Sequence, residues 1–131
     1  MTDAVDFATA DLLAMRCEAC RRDSPLVTPE EAAALWPRIP DWSEEVPDGV
    51  PRLVRTFRLK NFREALDFTQ RVGELAEAEG HHPIMLVAWG RVTVSWWTHA
   101  IRGLHRNDFL MAAKTDALYA ERRQAEGRTW G

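Results

Sequence analysis

This sequence has few of the features that mark secreted, membrane or nucleic-acid-binding chains. It has only two cysteines, Cys17 and Cys20, too few for the disulfide framework of a small secreted domain. Their C-x-x-C spacing is half of a zinc or redox site, but no second pair follows and no βαβ pattern surrounds it. Reduced thiols on an arm packed onto the domain are the expectation. No apolar run approaches the length of a membrane span. The start, Met1-Thr-Asp-Ala-Val-Asp-Phe, carries acids and lacks the basic opening of a signal peptide. These features predict a cytoplasmic protein with no membrane partner. A formal net charge of −3 leaves no electrostatic case for nucleic acid. There is no internal repeat, no glycine-rich phosphate loop and no nucleophile elbow.

The chain has 131 residues, 46% of them hydrophobic and six of them tryptophan. That is enough to bury a core in one domain. Residues 1–24 read as an N-terminal arm with a short helical stretch around 11–16. Residues 25–124 read as a single domain, and 125–131 as a polar C-terminal tail. Thr28-Pro29-Glu30-Glu31 has the N-cap, first-turn proline and capping-box acid of a helix start, and that helix should stop before Pro40. Residues 41–46 and 52–59 flank the turn residues Pro47-Asp48-Gly49 and read as a hairpin. In the second strand Leu53, Phe57 and Leu59 share one face, with Arg55 as an exception. Residues 61–79 form the clearest helix, with Asn61 and Glu64 as a capping box and Gly80 placed to end it. Strands over 83–89 and 91–98 follow around Gly90, then a final helix over 106–123. The order α-β-β-α-β-β-α predicts an α+β domain: a four-stranded antiparallel sheet with three helices on one face. The edges of so small a sheet are exposed, and pairing with a second copy is one way to cover them.

Three of the four histidines, His81, His82 and His99, fall between positions 81 and 99, with Glu77 just before them. Imidazole exchanges protons near neutral pH and also binds metals. Zinc motifs space their histidines so that the rings converge, whereas adjacent residues in extended chain point to opposite faces. The spacing therefore favours acid–base chemistry over a metal site. Helix capping and backbone hydrogen bonding are the structural alternative. His81 and His99 are each nine positions from Gly90, so a tight hairpin would set them near one end. Glu77 would orient a histidine or lie solvated on its helix. Trp89 would stack on a planar ligand or serve a core or interface. If His105 is a helix cap, Asp108 falls at the third helical position, where a carboxylate suits the positive end of the dipole.

The wider spacing resembles a known family. Glu77 is followed by Ala78-Glu79-Gly80 and His81-His82-Pro83, then Trp89 after five residues, His99 after nine and Asp108 after eight. This is similar to the pterin-4a-carbinolamine dehydratases. Cys17-Glu-Ala-Cys-Arg, Ile39-Pro-Asp-Trp42, Lys60-Asn-Phe62, Val72-Gly-Glu74, Gly103-Leu-His-Arg-Asn-Asp-Phe109 and Ala112-Ala-Lys-Thr-Asp116 look like the bacterial members associated with phenylalanine hydroxylase. The resemblance implies the element order above, in dimers or tetramers that join sheets across subunits. It implies dehydration of 4a-hydroxytetrahydrobiopterin to quinonoid dihydropterin and water, recycling the cofactor of phenylalanine hydroxylase, the functional partner. The pterin is then the substrate, and no metal or redox cofactor is needed. His81, His82 and His99 carry over as catalytic residues, with Glu77 as a supporting carboxylate. His81 and His99 take the acid–base work; His82, Pro83, Trp89 and Asp108 hold the substrate. Some relatives are non-catalytic binding proteins, a transcriptional coactivator or a carboxylase assembly factor, and such a role is the alternative. The chain departs from animal members at Gly80, where they have an acid, at Met85, where they have Trp, and at His105, where they usually have Thr.

Overall fold

A computed structural model describes residues 9–15 and 24–130. Helix α3, Phe62–Glu79, is built by its own sequence. Asn61 Oδ1 accepts the Glu64 N–H at 2.9 Å and opens the helix. Ala65, Phe68, Val72 and Ala76 recur at helical spacing and are buried. Gly80 ends it in the left-handed region at φ 65°. The Gly80 N–H reaches the Glu77 carbonyl at 3.3 Å, and the His81 N–H reaches the Ala76 carbonyl at 3.1 Å. Those two bonds make a Schellman cap. A Cβ at position 80 would meet nothing within 4 Å, so glycine supplies backbone freedom there and no room. The cap fixes the direction in which the chain leaves α3, with His81 among the first residues out.

Strands β1 (Ser43–Glu45), β2 (Arg52–Arg58), β3 (Ile84–Ala88) and β4 (Arg91–Trp96) form one antiparallel sheet in the order β1-β2-β4-β3. Leu53, Phe57, Val92, Val94 and Trp96 alternate onto one face and are buried. Helices α3 and α4 (Arg106–Trp130) pack there. The Phe57 ring centroid is 4.9 Å from that of Phe68 and 5.0 Å from that of Tyr119. Helix α2 (Pro29–Leu35) starts at Thr28, whose Oγ1 accepts the Glu31 N–H at 3.1 Å. It is tied to α4 by the Glu31–Arg106 ion pair at 2.6 Å, and Trp36, which follows it, meets Phe109 edge-on at 5.4 Å. The α+β class and the element order are those expected.

The differences are local. The exception on β2, Arg55, faces the helices because Asp116 of α4 accepts its N–H at 2.7 Å and Phe57 lies 4.4 Å beneath its guanidinium. Strand β1 is shorter than the expected 41–46, because Trp42 turns inward and donates Nε1–H to Asp116 at 2.8 Å. Strand β3 starts after Pro83, which has no N–H for a ladder. Helix α4 runs on to Trp130, through residues 125–130 that were expected as a tail. Gln124, Ala125, Glu126 and Arg128 favour helix and no proline interrupts them, which outweighs the single Gly127. In the arm, α1 covers Thr9–Ala14 and packs on α4, with Leu12 fully buried. The helix starts at Thr9 and not at Asp11. Cys17 and Cys20 lie outside the described residues. Among those described, no helix is long and apolar enough to cross a membrane.

Candidate active site

The β3–β4 ladder pairs Ile84 with Ser95 and Ala88 with Arg91. Trp89 and Gly90, the latter at φ 72°, therefore form a two-residue turn, and Gly90 alone is not its centre. Continued past the ladder, this register sets His81 opposite Thr98, one residue from the His99 that spacing about Gly90 suggested. The side chains bear this out, because His81 and Thr98 meet on Asp108. His81 Nε2–H donates to Asp108 Oδ1 at 2.7 Å. Thr98 Oγ1–H donates to Oδ2 at 2.9 Å, and the His105 N–H donates to Oδ2 at 2.8 Å. Asp108 is 0% exposed, and a buried carboxylate needs such partners.

Asp108 sits at the third position of α4, and its bond back to the His105 N–H is half of a capping box. His105 supplies the other half in an unusual form, since its Nδ1 accepts the Asn107 N–H at 3.0 Å. His105 is thus a buried cap residue. The consequence for His81 is chemical. A carboxylate only accepts, so Nε2 carries the proton and the neutral ring keeps its lone pair on Nδ1. Asp108 and the parallel Trp96 ring, 5.7 Å away at 9°, hold that ring in place.

His82 turns the other way. Its Nε2–H donates to Glu77 Oε2 at 2.5 Å, and both side chains are largely exposed. The adjacent histidines thus use different carboxylates. Among the described residues, no three His, Cys, Asp or Glu side chains are grouped to hold a metal ion. His99 opens a short 3-10 turn, His99–Ile101. Its exposed ring lies 4.4 Å from the Trp97 ring, which also carries the Arg52 guanidinium 4.0 Å from its centroid. The Thr98 N–H to Gly103 carbonyl bond, 2.9 Å, closes the loop around His99.

Glu77, His81, His82, Pro83, Asp108 and the His99 turn therefore occupy one end of the sheet. Trp89 does not join them. It is 72% exposed in the β3–β4 turn, at the other end of a five-residue strand, roughly 16 Å away at the rise of a β-strand. Within one chain it cannot stack on a ligand held by the histidines. Two residues of the site were not singled out from the sequence, Thr98 and Trp97. The signal for Thr98 was a polar residue just past β4, in an otherwise apolar stretch, with an acid in the first turn of α4.

A family model described as pterin 4 alpha carbinolamine dehydratase matches residues 25–118. That span is more than half of the chain and contains every residue of the site. A provisionally named pterin-4-alpha-carbinolamine dehydratase 1 from Gloeobacter violaceus is 62% identical over 111 residues, 85% of this chain and 96% of its own length. A provisionally named pterin-4-alpha-carbinolamine dehydratase from Syntrophotalea carbinolica is 64% identical over 102 residues, 78% of this chain and 91% of its own. Among solved structures, a transcriptional coactivator/pterin dehydratase from Brucella melitensis superposes with a TM-score of 0.65 at 29% identity, covering 72% of this chain and 99% of that one. A pterin dehydratase-like protein identified as a RuBisCO assembly factor in the alpha-carboxysome shares the fold, with a TM-score of 0.52 at 22% identity over 60% of this chain and 89% of that one. The chain belongs to the pterin 4 alpha carbinolamine dehydratase family.

Proposed function

We propose that the protein catalyses the dehydration of 4a-hydroxytetrahydrobiopterin to quinonoid dihydropterin and water. The observation that carries this reading is the His81–Asp108 pair, a buried carboxylate fixing one imidazole beside two exposed ones. A protein that only bound a partner would not need that constellation. In the reaction the C4a–O bond breaks, the leaving hydroxyl takes a proton and departs as water, N5 gives up its proton, and the C4a=N5 bond forms. Hydroxide leaves poorly, so a positioned acid accelerates the step, typically by roughly 10²–10⁴. His81 and His99 are assigned the acid–base work. His82, oriented by Glu77, and Pro83 hold the pterin, while Asp108 acts through His81. The reaction as proposed uses the pterin as substrate and no metal or redox cofactor.

The proposed setting is the cytoplasm, where the protein serves phenylalanine hydroxylase by returning its oxidised cofactor to a form a reductase accepts. Self-association is also proposed. Strand β3 is a sheet edge that exposes Ile84 and Leu86 at 44% and 66%, with Trp89 in the turn after it exposed at 72%, and pairing of such edges covers them. An interface role would also account for Trp89. The functional test is to form the 4a-hydroxypterin enzymatically and follow its dehydration optically. The protein is expected to accelerate it, and a rate equal to that in buffer would overturn the proposal.

A further inference from the structure

Beside the His99 turn lies an open recess of about 520 Å³ lined by Ser24, Leu26, Ala100, Ile101 and Arg102. That volume is within the usual range for small-molecule sites. Three of its lining residues, Ala100, Ile101 and Arg102, follow His99 directly in the chain, so the recess adjoins the His99 turn. Among the described residues, Arg102 is the only non-glycine residue with a positive φ, 51° with ψ 49°. An L-residue in that region carries a backbone cost that glycine would avoid, and such strain tends to mark functional positions. Arg102 is exposed, and no ion pair holds it among the described residues. Its neighbour Gly103 leaves space for Leu26, whose Cδ2 would stand 2.7 Å from a Cβ placed there. The recess thus joins an apolar wall, Leu26 and Ile101, to a cation at its rim.

The chemistry of the pterin says what should enter. Position C6 is bonded to N5, the atom that loses its proton, so the C6 substituent projects from beside the reacting centre. We infer that this recess holds the C6 substituent and that Arg102 suits it to one ending in an anionic group, a phosphate or a carboxylate. The inference rests on the dehydratase reading and extends its substrates from biopterin, whose C6 side chain is uncharged, to pterins whose C6 side chain is anionic. An exposed ion pair is a modest interaction, screened by salt, so Arg102 tunes preference.

The test compares binding of three pterins to the full-length protein: neopterin, neopterin monophosphate and folate. Tryptophan fluorescence or calorimetry gives each Kd. The wild type is expected to bind neopterin monophosphate about fivefold more tightly than neopterin at low salt, the upper end for an exposed pair, with the ratio shrinking as salt rises. In Arg102→Gly, which suits φ 51° and so should fold, the ratio should approach one; Arg102→Lys should keep most of it. Folate tests the carboxylate source, and dependence on Arg102 for either anion supports the inference and identifies which anion it is. Ratios unchanged in Arg102→Gly for both anions would overturn it and leave the dehydratase reading intact. If none of the pterins bound the wild type, the inference would fall, and the dehydratase reading would still be decided by the dehydration rate.

Discussion

Asp108 links helix capping to the proposed chemistry, because one carboxylate takes bonds from the His105 N–H, Thr98 and His81. The two roles separate in Asp108→Asn. The amide can still accept, but its NH₂ can also donate to His81 and favour the wrong tautomer. The expected result is a fall in kcat of roughly 10² or more with KM little changed, beside a stability loss of about 1 kcal/mol for the weakened cap. Dehydration kinetics and urea unfolding of the same variant check both parts. If kcat fell only in proportion to the unfolded fraction, Asp108 would be structural alone. That Glu77, His81, His82 and the His99 turn lie near one another was legible from their spacing, whereas Thr98 and Trp97 were not singled out. The arrangement was not legible. The turn holds two residues, Trp89 and Gly90, so the register moves by one, Thr98 takes the place opposite His81, and Trp89 goes to the far end.

At the scale of elements, α3 was the most legible because its start, stripe and stop are all local chemistry. Asn61→Ala removes the bond to the Glu64 N–H and should cost about 1 kcal/mol. Gly80→Ala should cost about 1–2 kcal/mol through φ 65° alone, and it should also loosen His81. Denaturant titration with unchanged m-values checks both. Long-range partners were less visible in the sequence. Burial pushes the Asp116 carboxyl above the usual range, although Trp42 and Arg55 both favour its charged form. A folded-state value above the unfolded one means the native chain holds this proton more tightly. Its stabilisation is then present at acid pH and is lost as pH rises through the folded value. The stability difference between wild type and Asp116→Asn should therefore be larger at acid pH than at neutral pH. A difference that grew with pH instead would contradict that sign.

At the scale of the whole molecule, the sheet order β1-β2-β4-β3 leaves β3 at an edge beside the histidine end. If copies associate there, the sheet continues across subunits and Ile84, Leu86 and Trp89 are covered. Light scattering should then give a mass above 15.0 kDa, and Leu86→Lys should lower it, since a charge on an edge strand opposes pairing. The helical order and single core were readable from periodicity, whereas the assembly depends on surfaces that no pattern in one chain defines. The measurement that tests the central claim most directly is the dehydration rate of enzymatically formed 4a-hydroxypterin with the wild type, His81→Ala and His99→Ala. The predicted result is acceleration by the wild type and a loss of roughly 10²–10⁴ in each variant. Full acceleration in folded His81→Ala and His99→Ala would contradict it.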